Sequence, residues 1–307
     1  MGFNCIQVWG TSVQQARSNL DQAAEHGLMA VLEMSSLLRG TYRPTELEAI
    51  VRACRDHPAL LAWYPVDEPG MAQFEWCRDA YTIFVREDPN HPVYLVMCQP
   101  KLFGKFSSTC DILAIDPYPI PHAPVSLVAG WMKAAREATA GRQPIWLIPQ
   151  LHNQSAYSDP SKGRAPTPQE LWCMVAQGLI YGAKGVIYYP WDDGPCGLTH
   201  EPALMAEIPR INQFLASYGP LLASADPQII ADGEKNGHPQ GLHAALFEGQ
   251  NRLLLATNTS HEAVSARIPV EGARQARSLM TGQAITVAQG AVDLALAPLS
   301  VELIELR

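Results

Sequence analysis

From the first residues to about residue 220, short continuous apolar runs alternate with segments whose apolar residues recur every three or four positions. A continuously apolar strand is buried on both faces, so the pattern calls for a parallel sheet covered by helices. The strands read as Phe3–Trp9, Leu28–Met34, Leu60–Val66, Val93–Met97, Ile112–Asp116, Ile145–Gln150 and Val186–Trp191. Between them, Val13, Ala16, Leu20, Ala23 and Ala24 make one helical face, with Gly27 as a C-terminal stop. Leu47, Ile50, Val51 and Cys54 make another, and Thr45 with Glu48 forms a candidate capping box. Thr167-Pro168-Gln169-Glu170 is a stronger helix start, with a cap, a proline at the first helical position and a glutamate at the third.

Such a sheet can stay open or close into a barrel. No G-x-G-x-x-G and no P-loop follows any strand, which removes the nucleotide-binding argument for the open form. Carboxylates, amides and aromatics stand at several strand ends, as in a (β/α)8 TIM-type barrel whose site is built there. Seven strands are visible where such a barrel has eight. If Val186–Trp191 is the last, the chain opens on the second, and either the first is missing or another element fills its gap. An open barrel would expose a strand edge with unpaired backbone groups.

After about residue 222 the pattern changes. Gly241–Phe247, Arg252–Thr257, Val264–Pro269, Ala284–Val287 and Leu294–Leu306 read as strands joined by turns, with no long helix between them. The expected partition is a barrel over residues 1–222 and a small β-sandwich-like domain over 223–307. The second part contains no Trp or Tyr to stack on a sugar, so its expected role is structural.

A net charge of -8 without a basic stripe argues against a nucleic-acid partner. No apolar run is long enough to cross a bilayer, and Met1–Trp9 lacks the charged and apolar regions of a signal peptide. The expected location is cytoplasmic if Met1 is the true start, exported if the start has been processed. The seven scattered cysteines include no C-x-x-C pair, and the histidines have no metal-ligand spacing, so neither a metal nor an organic cofactor is expected.

The chemistry concentrates at Leu60-Leu61-Ala62-Trp63-Tyr64-Pro65-Val66-Asp67-Glu68-Pro69, an apolar run ending in two acids. Adjacent strand residues point opposite ways, so Asp67 and Glu68 are not expected to act as one pair. Burial of Glu68 among Trp63 and Tyr64 would raise its pKa, as a general acid near neutral pH requires. A structural carboxylate paired with an arginine or backbone amides is the plainer alternative.

This stretch resembles the large (β/α)8 group of glycoside hydrolases often called clan A. The likeness extends to Gly2-Phe3-Asn4 opening an early strand, Asp116-Pro117-Tyr118-Pro119, and Gly182-Ala183-Lys184-Gly185-Val186-Ile187-Tyr188-Tyr189 leading to Trp191. The resemblance implies hydrolysis of an O-glycosidic bond in a carbohydrate. Glu68 inherits the acid/base role of the fourth strand, and Trp191 the floor of the sugar subsite. Asp67 stands where the group commonly has Asn. Gln150 stands where the seventh strand should end in a nucleophilic glutamate, and an amide cannot form a glycosyl ester.

Three explanations stay open. Another carboxylate supplies the second role, Asp116 first and Asp192 after it. Alternatively the substrate's own acetamido group attacks, with Asp67 and Glu68 as helper and acid. In the third, the chain binds a glycan without cleaving it. Asp116 also reads as a residue fixing its Pro-Tyr-Pro turn, and Asp192-Asp193-Gly194 as a turn alone. Substrate contacts are expected from Asp67, Gln150, Tyr118, Trp191, His152, Trp9 and Glu33. The bland readings are a solvated loop histidine for His152 and a buried ion-pair member for Glu33.

Overall fold

The computed structural model describes residues 1–234 and 237–307. They form two compact units that interleave along the chain. One comprises Met1–Asp116 and Ala134–Trp146, the other Pro117–Lys133 and Leu147–Arg307. Among the described residues no helix is long and apolar enough to cross a membrane.

The first unit carries β1 (Cys5–Trp9), β2 (Met29–Glu33), β3 (Leu60–Tyr64), β4 (Tyr94–Met97), β5 (Ile112–Ile115) and the start of β6 (Ile145–Leu147). β1 pairs with β2 and β2 with β3 in parallel. Trp63 bridges Val93 in the same sense, and β4 pairs with β5. Leu113 N donates to Pro144 O at 3.2 Å, which brings the β6 approach beside β5. Spatial order therefore follows chain order, with helices in the connections, as in β/α barrels.

Those helices are α1 (Val13–Glu25), α2 (Pro44–Cys54), α3 (Phe74–Glu87) and α4 (Phe103–Phe106); α5 (Leu127–Thr139) has residues in both units. Ser12 Oγ accepts the Gln15 N–H at 3.3 Å to start α1, and Ala16, Leu20 and Ala23 are buried. Gly27 follows in the left-handed region at φ 68°. The capping box expected from Thr45 and Glu48 does not form. Pro44 takes the first helical position and Arg43 the cap, which puts both residues inside α2. Glu48 pairs instead with Arg52 and Arg86.

In the second unit, Ile187 N donates to Leu147 O at 3.0 Å beside β7 (Ala183–Val186), and Gln150 bridges Tyr189 in parallel. The last parallel strand thus lies earlier than the expected Val186–Trp191. Pro190 has no N–H with which to continue the ladder. α6 (Pro168–Ile180) is buried from Glu170 to Ile180, the mark of a helix with no solvent face; α7 (Pro202–Ser224) follows. Cys173 of α6 lies against the antiparallel strands, receiving the Thr257 hydroxyl at 3.3 Å. Gly178 of α6 meets β6: a Cβ there would stand 2.5 Å from Leu147 Cδ2.

The antiparallel strands are β8 (Gln228–Asp232), β9 (Leu242–Phe247), β10 (Arg252–Asn258), β11 (Val264–Pro269), β12 (Ala276–Ser278), β13 (Ala284–Ile285), β14 (Val287–Ala288), β15 (Ala291–Leu296) and β16 (Ser300–Leu306). They make a sheet of order β13-β12-β16-β10-β9-β8 and another of order β11-β15-β14. Leu242, Leu254 and Ile304 of the first share one core with Ile268, Val292 and Leu294 of the second. The single strand expected over Leu294–Leu306 is two strands in different sheets. The chain turns at Pro298-Leu299, with Leu299 at φ 48°. Ala284–Val287 divides in the same way, between β13 and β14.

Candidate active site

β3 ends at Tyr64, and its continuation stays buried through Val66 before the chain bends at Asp67 and Glu68. Glu68 adopts the left-handed backbone region, φ 45°, and its side chain is exposed. The expected burial among Trp63 and Tyr64 does not occur, because both rings turn into the core. Trp63 stacks on Phe84 at 5.5 Å and donates Nε1 to Asp88 Oδ2 at 2.9 Å. Tyr64 meets Tyr94 edge-on at 5.0 Å and donates its hydroxyl to Asp67 Oδ1 at 2.5 Å.

Strand alternation does not govern Asp67 and Glu68 either, since both lie beyond the end of β3. Burial raises the Asp67 pKa, and the neighbouring charge of Glu68 adds to it, while the Tyr64 hydroxyl and Arg39 oppose the rise. Arg39 Nη2 reaches Asp67 Oδ2 at 3.0 Å. The Asp67 N–H donates to Ser35 Oγ at 2.9 Å, and Ser35 donates that hydroxyl to Glu33. Glu33, at the end of β2, also accepts Gln7 Nε2 at 2.5 Å, and burial raises its pKa. Glu33 is thus a buried member of a hydrogen-bonded chain running to Asp67.

Asp116 follows β5 and is 4% exposed. Its Oδ1 is buried and receives no hydrogen bond from any N–H or hydroxyl. Burial first, then the neighbouring Glu68 and Asp67, push its pKa well above the carboxylate range. Cys98 directly follows β4, and its thiol is pushed up to about 12, chiefly by burial, with the nearby charges of Glu68 and Asp116 adding to the rise. Glu68, Cys98 and Asp116, which follow β3, β4 and β5, are thus electrostatic neighbours. Sequence reasoning missed Cys98 as a member, although it directly follows the apolar run ending at Met97. Trp9, at the end of β1, is 59% exposed.

In the second unit Gln150 is fully buried. Its Oε1 accepts the Ile120 N–H at 2.9 Å, and Nε2 donates to the carbonyls of Ile120 at 2.8 Å and His152 at 2.9 Å. The amide has no polar atom left over. His152 is buried rather than solvated, and burial lowers its pKa to about 4. Tyr118 and Tyr189 meet its ring edge-on at 5.0 and 5.4 Å. The hydroxyls of Tyr157 and Tyr189 donate to Asp193 Oδ2 at 2.7 and 2.6 Å, and these bonds hold the Asp193 pKa down. Trp191 is 52% exposed, and Asp192 is exposed beside it. Asp193 N donates to Cys196 O at 2.8 Å, closing a turn over Gly194-Pro195 that Asp192 immediately precedes. Among the described residues no group of three or more His, Cys, Asp or Glu is placed to hold a metal ion.

Parallel strands in chain order, acids at their C-terminal ends and a following antiparallel β-region define the fold of the (β/α)8 glycoside hydrolases. No family model matches the chain, and no curated protein shows significant sequence similarity to it. Solved structures do match. A β-galactosidase from Bacillus circulans sp. alkalophilus superposes with a TM-score of 0.71 at 9% identity, over 100% of this chain and 95% of that one. A protein described as a glycoside hydrolase gives 0.66 at 11% identity, over 99% and 85%. A glycoside hydrolase family 5 protein from Bacteroides vulgatus gives 0.65 at 12% identity, over 95% and 73%. At these identities the likeness is one of fold.

Proposed function

We propose that the protein hydrolyses an O-glycosidic bond, with Glu68 as general acid/base and Asp116 as the second carboxyl of its site. The observation that carries this reading is the exposed Glu68 carboxyl, held just beyond a parallel strand's C-terminal end, with the buried Asp116 carboxyl after β5 as an electrostatic neighbour. In the net reaction the C1–O bond breaks, the leaving oxygen gains a proton, and the hydroxyl of water ends on C1. The test is a screen of chromogenic glycosides and polysaccharides with wild type and Glu68→Gln. We expect release by the wild type and a loss of about 100-fold or more in kcat/KM for the variant, the scale of general acid–base catalysis. Full activity in Glu68→Gln would remove Glu68 from the mechanism.

A second reading, a glycan-binding protein that does not cleave, is favoured by Gln150. Its amide is committed to the backbone at the position where the resembled group carries its nucleophile. Calorimetric binding of an oligosaccharide that is recovered intact after prolonged incubation would support this reading over hydrolysis.

A further inference from the structure

Asp193, beyond β7, carries a charge that the second unit leaves unbalanced. Its Oδ2 accepts the Tyr157 hydroxyl at 2.7 Å and the Tyr189 hydroxyl at 2.6 Å, while among the described residues nothing donates to its Oδ1. Among those residues no lysine or arginine forms an ion pair with it. The two cations that follow Tyr157 in the chain, Lys162 and Arg164, are held by Asp159 and Glu170 at 3.1 and 2.7 Å. Yet the Asp193 side chain is exposed, so a cation from outside can reach it. We propose that Asp193 and the rings of Tyr157 and Tyr189 form a recognition site for a protonated amino group carried on a sugar. The inference rests on the carbohydrate reading above for the sugar and names its class as an amino saccharide.

Several features fit this cluster to an ammonium group better than to a neutral hydroxyl. The carboxylate is fixed in advance. Two phenols hold one of its oxygens, and the Asp193 N–H donates to Cys196 O at 2.8 Å, so little ordering is needed before the other oxygen accepts a ligand. A charged donor bonds such an oxygen more strongly than a neutral one does. The surrounding rings add to this, since aromatic faces attract cations. The Tyr157 and Tyr189 hydroxyls meet at 2.9 Å, and Tyr118 stacks on Tyr189 at 6.2 Å. His152 braces all three rings edge-on, at 5.0 Å from Tyr118, 6.0 Å from Tyr157 and 5.4 Å from Tyr189. It supplies no competing charge, because its ring is 1% exposed and its Nδ1 has no hydrogen-bond partner, which makes protonation costly. A sugar is favoured over a bare amine by Tyr157 and by Trp191, two residues before Asp193. They are 49% and 52% exposed and offer apolar ring faces on which a pyranose can stack.

The test is titration calorimetry on the full chain at pH 5.5, where a sugar amine is protonated and the Asp193 carboxyl, its pKa held down by the two phenols, is ionised. The probes are a glucosamine tetramer, its fully N-acetylated counterpart and cellotetraose. Wild type is expected to bind the free-amine tetramer about tenfold or more tightly than either neutral one, the scale of one charge-assisted hydrogen bond. Equal binding of the three, tighter binding of a neutral one, or no binding of any would overturn the proposal, and this comparison needs no variant to fold. Asp193→Asn is expected to abolish the preference. Asp226→Asn, which removes an exposed charge elsewhere in the same unit, is expected to keep it. A preference that survives Asp193→Asn, or that falls equally in both variants, reports general attraction to an acidic chain and sinks the site. Spermidine, an amine without a sugar ring, is expected to bind more weakly than the glucosamine tetramer; equal affinity overturns the assignment to a saccharide. Amine-selective binding through Asp193 with the tetramer recovered intact leaves the site standing and removes the hydrolytic reading. Hydrolysis of neutral oligomers without any amine preference does the reverse.

Discussion

Every polar atom of the Gln150 side chain meets backbone, and this has a consequence for any attempt to restore a nucleophile there. Gln150→Glu would turn the Nε2 donor into an oxygen facing the Ile120 and His152 carbonyls. We expect a loss of about 3 kcal/mol in stability, the scale of a buried charge left without its partners, measured by urea denaturation. Gln150 was legible in the sequence as a departure from the resembled motif. Its reason was not, because the partner is the backbone of Ile120, thirty residues away. Glu68 shows the converse. Its position could be read from the strand ending beside it, but its exposure could not, since that depends on where Trp63 and Tyr64 find partners. Because Glu68 is exposed, Glu68→Gln is expected to keep the wild-type unfolding midpoint, within about 0.5 kcal/mol, while losing activity.

Single elements were legible where their signals are local. Thr167 accepts the Glu170 N–H at 3.2 Å and Glu170 accepts the Thr167 N–H at 2.8 Å, the reciprocal box its sequence announces. Arg164 adds two bonds to the same glutamate at 2.7 and 2.8 Å. Thr167→Ala removes the hydroxyl acceptor at the start of α6. We expect it to cost about 1 kcal/mol, seen as a lower denaturation midpoint with an unchanged slope. At α2 the same kind of signal misled, since Pro44 is itself suited to the first helical position and displaces the start. β15 alternates on Val292, Leu294 and Leu296 and β16 on Val301 and Leu303, two short apolar alternations separated by only a few residues. Only the turn at Pro298-Leu299 sends them to different sheets, and a pattern of period two carries no information about which sheet a residue joins.

For the whole molecule, the order of the parallel strands could be read from alternation alone, because each run is long and apolar enough to be a buried strand. The interleaving of the two compact units could not, since it depends on contacts remote in sequence. Two buried histidines give the molecule a pH dependence. His152 and His243 are both lowered to about 4, chiefly by burial, and His243 bonds the Tyr181 hydroxyl at 2.8 Å. The unfolded chain protonates each near pH 6.5, before the native state does. The stability they contribute is present above that value and lost as pH falls toward 4, by roughly 3 kcal/mol for each. Comparing wild type with His243→Gln at pH 7 and pH 4 isolates one of them: the variant is expected to lose about 3 kcal/mol less on acidification.

The antiparallel sheets have no fluorophore of their own, since residues 223–307 contain neither Trp nor Tyr. The helix resting on them does: Trp172 neighbours Cys173, whose sulfur contacts Thr257, and its indole donates to Glu207 at 2.9 Å. A chain whose only emitting indole is Trp172 would therefore light up the melting of strands that are themselves dark. Its emission and the far-ultraviolet dichroism of those strands are expected to change at the same temperature.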